Sequence, residues 1–326
     1  MSRPTRLSLV THLLEHSTRL RLLRRDNFSH HLFAKHEQQA PLGGGFTSWS
    51  DNTLHFEYHV PKRACIGPRD TLPLGALVAL IDEVTTWVSM GSDRHIRPGV
   101  SISLEAALSE QDRAPVAGDV LVFSARVEKM GRTLGFQSCE VHDAATGRRV
   151  AHGYHSKFLE MGKLWNLALG PLFPFTDRIG QMVGTARPAP HIDPDDTEGL
   201  ERLLAPTSLS ADDAARGVVR AGFTCLPEHL QETHIMFGGV QAMVHEVATR
   251  EAAKALRPDS PPPLCCAMLV RYLAGISVGD ELDAHATAAE AYRGEGLTAT
   301  SCLVRAGNGR GAGGVRSEAE VQFLRM

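Results

Sequence analysis

The chain has 326 residues, 43% hydrophobic and 22% charged, with 34 Lys and Arg against 37 Asp and Glu and a formal net charge of −3. That balance excludes wholesale disorder and leaves no electrostatic basis for a nucleic-acid-binding body; the length suits about two domains of ~100–200 residues each. No stretch approaches the ~18–20 uninterrupted apolar residues of a membrane-spanning helix. The six cysteines form no Cys-x-x-Cys pair and no zinc spacing, so they read as reduced, buried thiols of an intracellular protein with no metal site.

Residues 1–44 form a basic N-terminal segment. Within its first 35 residues Arg3, Arg6, Arg19, Arg21, Arg24, Arg25 and Lys35 face only Glu15 and Asp26, and Leu7, Val10, Leu13, Leu14 and Leu20 can share one helical face. An Arg-rich, acid-poor, amphipathic segment predicts mitochondrial targeting, or otherwise a basic helix that docks on this protein or a partner; without either, the chain is expected in the cytoplasm. Residues 45–162 follow as a first module. It comprises a strand at Asn52–Val60, a helix at Leu74–Met90 that is apolar nearly all round, and strands at Val100–Leu108, Val120–Lys129, Thr133–His142 and Arg149–Glu160. A helix so apolar is wrapped by protein. A Pro-containing linker spans 163–206. The second module, 207–326, repeats the order with Val218–Leu226, a helix at Gly239–Leu256, then Leu264–Leu273, Glu281–Ala291, Leu297–Arg305 and Gly314–Leu324. One helix enclosed by about five antiparallel strands is an α+β arrangement, unlike the alternation of a parallel sheet.

The chain also repeats itself in letters. Leu74–Thr86 (LGALVALIDEVTT) matches Phe237–Thr249 (FGGVQAMVHEVAT), pairing Gly75 with Gly238 and Glu83 with Glu246. Ser138-Cys139 recurs as Ser301-Cys302, Gly118-Asp119 as Gly279-Asp280, and Phe158-Leu159 as Phe323-Leu324. Blocks in the same order identify two copies of one unit.

The first copy resembles the hotdog-fold acyl-CoA thioesterase superfamily, in particular its phenylacetate-type branch. The matching text is ALVALIDEVTT, Pro98–Ser101, Gly118-Asp119, Val127–Leu134, Thr146-Gly147 and Ala151–Lys157; the second copy carries it more weakly through Phe237-Gly238-Gly239 and Glu246. The resemblance implies two tandem hotdog domains paired as a pseudo-dimer, each a long central helix wrapped by an antiparallel sheet. It also implies an acyl-CoA or acyl carrier protein substrate and no cofactor. In that superfamily a helix carboxylate of one subunit works with a backbone N–H at the helix start of its partner, where a His-Gly-Gly run lets the chain approach the thioester. Thioester hydrolysis needs such an acid and such an oxyanion donor. Carried over, the carboxylate is Asp82 and the water-orienting serine Ser101, while the sister module supplies Gly239 with Gly238 and Phe237. A second site combines Glu246 with Gly75, where Leu74 crowds the approach. The self-comparison instead aligns Glu83 with Glu246, and adjacent helical side chains diverge by ~100°.

Plainer readings compete. Asp82, Thr85, Thr86 and Ser89 have the spacing of a solvated stripe, and Glu246 stands four residues before Arg250, an ordinary surface pairing. His234 and His245 read as polar residues rather than ligands. Gly275-Ile276-Ser277-Val278-Gly279 fits a nucleophile pattern but lies between two strands, and the glycine-rich run 307–314 leads into a strand rather than the helix that a phosphate cradle needs. The family's histidine is missing from both copies. The competing function is therefore a catalytically degenerate hotdog protein, a structural or acyl-binding subunit of a larger, mitochondrial complex. A dehydratase ranks below both, and a homo-oligomer is left open.

Overall fold

The protein is described by a computed structural model over residues 46–50, 52–67, 69–93, 97–109, 114–160, 162, 200, 204–230, 235–261, 263–291, 296–306 and 314–324. The basic segment, nearly all of the linker, His234 and residues 307–313 lie outside the described residues. The first module contains β1 (Phe46–Ser50), β2 (Thr53–His59), α1 (Leu74–Ser92), β3 (Val100–Leu108), β4 (Val120–Met130), β5 (Leu134–Asp143) and β6 (Arg149–Phe158). The second contains β7 (Ser208–Asp213), β8 (Val218–Thr224), α2 (Gly238–Leu256), β9 (Leu264–Tyr272), β10 (Glu281–Glu290), β11 (Gly296–Arg305) and β12 (Val315–Leu324).

All twelve strands join one antiparallel sheet in the order β1-β2-β4-β5-β6-β3-β9-β12-β11-β10-β8-β7. Read from either end, the order passes through corresponding strands, so a pseudo-twofold axis runs through the β3–β9 seam, where Ser103 pairs Arg271 and Ala107 pairs Ala267. Strand alternation sets the core: Leu54, Phe56 and Tyr58 of β2, Leu121, Phe123 and Ala125 of β4, and Leu282, Ala284 and Ala286 of β10 all point inward and are buried. α1 is apolar and long enough to cross a bilayer by composition alone, yet 83% of that stretch is enclosed by the sheet and α2.

The helices touch at their glycines. A Cβ on Gly239 would stand 2.2 Å from the Ala79 Cβ, and one on Gly75 would stand 2.9 Å from the Met243 Cα. Only glycine permits these backbones to come so close.

Two expectations need correction. Among the described residues each module has six strands rather than about five, because β1 and β7 form the sheet edges. β7 exposes nearly every residue, so it carries no alternating pattern by which its sequence could announce it. The helix register also differs by one from the letter match. Thr85 Oγ1 donates to the carbonyls of Ile81 (2.5 Å) and Asp82 (3.1 Å), as Thr249 Oγ1 does to those of His245 (2.7 Å) and Glu246 (3.2 Å). Asp82, not Glu83, thus corresponds to Glu246, and Gly75 corresponds to Gly239, not Gly238. The shared Glu-Val-x-Thr letters and the double glycine make the slipped match look better than the true one.

Candidate active site

Asp82 lies on the third turn of α1, facing the sheet seam and the start of α2. It is 3% exposed, which rules out the solvated-stripe reading. Its Oδ1 is 3.3 Å from Ser101 Oγ, 3.4 Å from Thr86 Oγ1, 3.5 Å from His155 Nε2 and 3.8 Å from Lys157 Nζ. Its Oδ2 points the other way, 2.9 Å from where a Cβ of Gly238 would stand. One oxygen is held by its own module; the other faces the N-terminus of the sister helix.

A bulge aims Ser101. In β3 the inward residues are Leu104, Ala106 and Leu108, an alternation that would turn Ser101 outward. Between β3 and β6, however, Ser101 pairs Lys157 and Ser103 pairs Ser156, so the extra residue Ile102 resets the alternation and brings Ser101 inside. Its single hydroxyl proton then has two acceptors in reach, Asp82 Oδ1 and, at 3.0 Å, His155 Nε2. The other ring nitrogen of His155 lies 2.7 Å from Thr85 Oγ1. Thr85 spends its own proton on a helix carbonyl, so Nδ1–H donates to it and leaves Nε2 the acceptor.

Burial dominates the electrostatics. It raises the Asp82 pKa, against the opposing pull of Lys157, Ser101 and Thr86. Burial also lowers Lys157, with Asp82 and Glu83 resisting, and holds His155 neutral far below its ordinary value with the Lys157 charge adding to the effect. Lys157 Nζ donates to Thr86 Oγ1 at 2.6 Å. Glu83 is half-buried and acts on this cluster through its charge.

Across the interface, Phe237 is the buried N-cap of α2, its backbone extended where the histidine of the resemblance would stand. Gly238 and Gly239 open the helix, whose first amides have no intrahelical acceptor and carry the positive end of the helix dipole. Among the described residues no side chain accepts from either glycine amide. Tyr272, the last residue of β9, donates its hydroxyl to the Gly238 carbonyl at 3.0 Å.

The pseudo-twofold copy of this arrangement is closed. Glu246 is 2% exposed, not a surface residue. Its Oε2 accepts from the Gly75 amide at 2.6 Å and its Oε1 from Arg250 Nη2 at 2.5 Å. The amide corresponding to Gly239 is therefore already taken by a carboxylate, rather than blocked by Leu74 alone. Strand register places Cys265 where the other half has Ser101, Val321 for His155 and Phe323 for Lys157. His245 is fully buried between Ser301 Oγ (2.5 Å) and Ser317 Oγ (2.9 Å), and burial pushes its pKa down to about 3, a structural role.

The structure thus brings Asp82 and Ser101 to Gly238 and Gly239, and Glu246 to Gly75. Sequence reasoning assigned no role to His155, Lys157, Thr86 or Tyr272. The first two had a signal: polar residues at i and i+2 inside the matched Ala151–Lys157 stretch share the inward face. Tyr272 had none. Ser277 of the nucleophile-like run accepts, through its backbone, the Asp280 amide of a β9–β10 turn, as Val116 does from Asp119 in the first module. No group of His, Cys, Asp and Glu able to hold a metal occurs among the described residues.

No family model matches the chain. Over 89 residues, 27% of its length, it is 33% identical to acyl-coenzyme A thioesterase 13 of Homo sapiens and 32% identical to that of Mus musculus. The match spans 61% of those relatives. Among solved structures, the tesB protein of Mycobacterium avium subs paratuberculosis aligns with a TM-score of 0.56 at 11% identity, over 86% of this chain and 95% of that one. The 12:0-ACP thioesterase from Umbellularia californica aligns with a TM-score of 0.54 at 11% identity, over 84% and 95%. At such identity the likeness is one of fold, and it extends over both modules.

Proposed function

We propose that this chain, a tandem pair of hotdog-fold domains similar to acyl-CoA thioesterases, hydrolyses an acyl thioester at one composite site between its modules. The observation that carries the reading is the approach of Asp82 Oδ2 to the glycine start of the sister helix. In the proposed reaction the thioester carbonyl oxygen lies against the Gly239 amide, with Gly238 and Phe237 shaping the approach. The Asp82 carboxylate takes a proton from a water that Ser101 orients, and the water oxygen adds to the carbonyl carbon. The oxyanion that forms gains from the amides and the helix dipole. As it collapses, the carbon–sulfur bond breaks, the thiolate leaves, and Asp82 returns the proton to sulfur. The products are a carboxylic acid and a free thiol, CoA or an acyl carrier thiol. The Glu246–Gly75 half takes no part.

Release of free thiol from a panel of short, medium, long and aromatic acyl-CoAs tests the reading, with Asp82→Asn as the control that must abolish it. The closed Glu246 half and the absent histidine favour a second reading, a non-catalytic acyl-binding or structural subunit. Copurification at fixed stoichiometry with a large assembly, with no thiol release from any acyl-CoA, would select it. Mitochondrial destination is the proposal drawn from the Arg-rich residues 1–44, and import of the full chain into isolated mitochondria checks it.

A further inference from the structure

Gly238 sits at a point of three-way convergence. A Cβ there would stand 2.9 Å from Asp82 Oδ2, 3.1 Å from the Tyr272 Cζ and 3.2 Å from its hydroxyl oxygen, so carboxylate, glycine and phenol meet in a space that only glycine leaves open. The phenol donates to the Gly238 carbonyl at 3.0 Å. That carbonyl and the Gly239 N–H are the two ends of one peptide unit. A donor bound to the oxygen draws electron density through the amide and makes its N–H the stronger donor, while fixing the plane in which that N–H points. The Gly239 amide is the one whose counterpart, Gly75, already binds a carboxylate oxygen at 2.6 Å, which shows that an amide at this helix position presents itself to an anion.

The device is present in one half only. β3 and β9 correspond across the seam, and the residue in the place of Tyr272 is Leu108, a buried aliphatic side chain with no hydrogen to give. The half that carries the phenol is the half whose amide has no side-chain acceptor among the described residues. Burial, reinforced by the charge of Asp82, pushes the Tyr272 pKa well above its ordinary value, so the hydroxyl keeps its proton throughout the working pH range.

We infer that Tyr272 is a positioning residue for the oxyanion: through the Gly238 carbonyl it orients and polarises the Gly238–Gly239 peptide, whose N–H receives the developing charge. The inference rests on the thioesterase reading above and extends it to a residue contributed by the second module.

Tyr272→Phe keeps the buried ring and removes only the donor. With an acyl-CoA that the native chain hydrolyses, kcat is expected to fall about 10-fold, less than the ~100-fold or more that follows loss of a direct oxyanion donor. KM and Tm should stay near native. A trifluoromethyl ketone analogue of acyl-CoA, bound as its oxyanion-like adduct, should lose affinity by the same factor, whereas a non-hydrolysable thioether analogue should bind as before. Native kcat in Tyr272→Phe, or a parallel loss of kcat, thioether affinity and Tm, would overturn the role. Asp82→Asn in the same assay separates the two levels. If it is inactive while Tyr272→Phe is native, only the tyrosine inference fails; if it retains full turnover, or the native chain hydrolyses no acyl-CoA, the site reading fails and takes the inference with it.

Discussion

Two carboxylates stand in corresponding places on α1 and α2, each facing the glycine start of the opposite helix, and a single methylene separates their behaviour. Glu246 is long enough to bind the Gly75 amide at 2.6 Å, with Arg250 holding its other oxygen, and the half-site becomes a latch between modules. Asp82 is one carbon shorter. It approaches Gly238 while its other oxygen is drawn back among Ser101, Thr86, His155 and Lys157. The surroundings follow the same division: serine, histidine and lysine line one acid, while cysteine, valine and phenylalanine stand in those places around the other. The fold supplies the same opposition of acid and amide twice, and side-chain length decides whether it closes on itself.

The contrast can be broken most severely at the shorter acid. Asp82→Asn removes the base and should lower kcat by about 10³-fold, within the range of general-base contributions. In the native chain the raised Asp82 pKa has a sign: the carboxylate is the working form, so activity should fall with decreasing pH at values above the ordinary carboxylate range of about 4, as a kcat–pH profile would show. Asp82→Glu makes the halves alike. The longer side chain is expected to capture the Gly239 amide as Glu246 captures Gly75, lowering kcat by ~100-fold, the scale of a lost oxyanion donor, while Tm is kept or raised. Retained turnover in Asp82→Glu would refute the length explanation.

Glu246→Gln sharpens the contrast from the other side. It discharges the latch and leaves Arg250 without its charge partner, so chemical denaturation should register a loss of about 1–3 kcal/mol, with turnover changed less than ~2-fold. At neutral pH the smallest effect belongs to His245, whose contribution grows only on acidification. Its folded pKa of about 3 lies below the ordinary 6.5, so the unfolded chain binds the proton more readily and stability declines as pH falls from about 6.5 toward 3. The slope is bounded by ~1.4 kcal/mol per pH unit for one group. His245→Gln should flatten the Tm–pH curve in that window without altering kcat.

Much of the architecture could be read along the chain because it is written in local periods. Leu54, Phe56 and Tyr58 alternate as a half-buried strand must, and α1 is apolar on every side because protein surrounds it. β7 gave no signal because a strand paired on one side and exposed at nearly every residue has no pattern to display. The choice between Asp82 and Glu83 was obscured by repeated letters. The backbone bonds of Thr85 and Thr249, which depend on three-dimensional spacing rather than identity, align the helices one residue away from the best match of characters.

Residue order by itself determined the duplication, the helix-and-sheet content of each module and the small set of acids and glycines from which a site could be built, since all of these are properties of neighbours in the chain. The family resemblance already paired Asp82 with Gly239 and Glu246 with Gly75; only the tertiary structure decided that the Gly75 amide is bound by its acid. Glu246 and Gly75 are 171 residues apart, as remote in sequence as the β3–β9 seam makes them close in space. A bulge at Ile102 turns Ser101 inward, and a tyrosine at the end of β9 reaches the peptide that opens α2. Such contacts arise from how two sheets join and two helices cross, and the span between the residues that make them carries no trace of either.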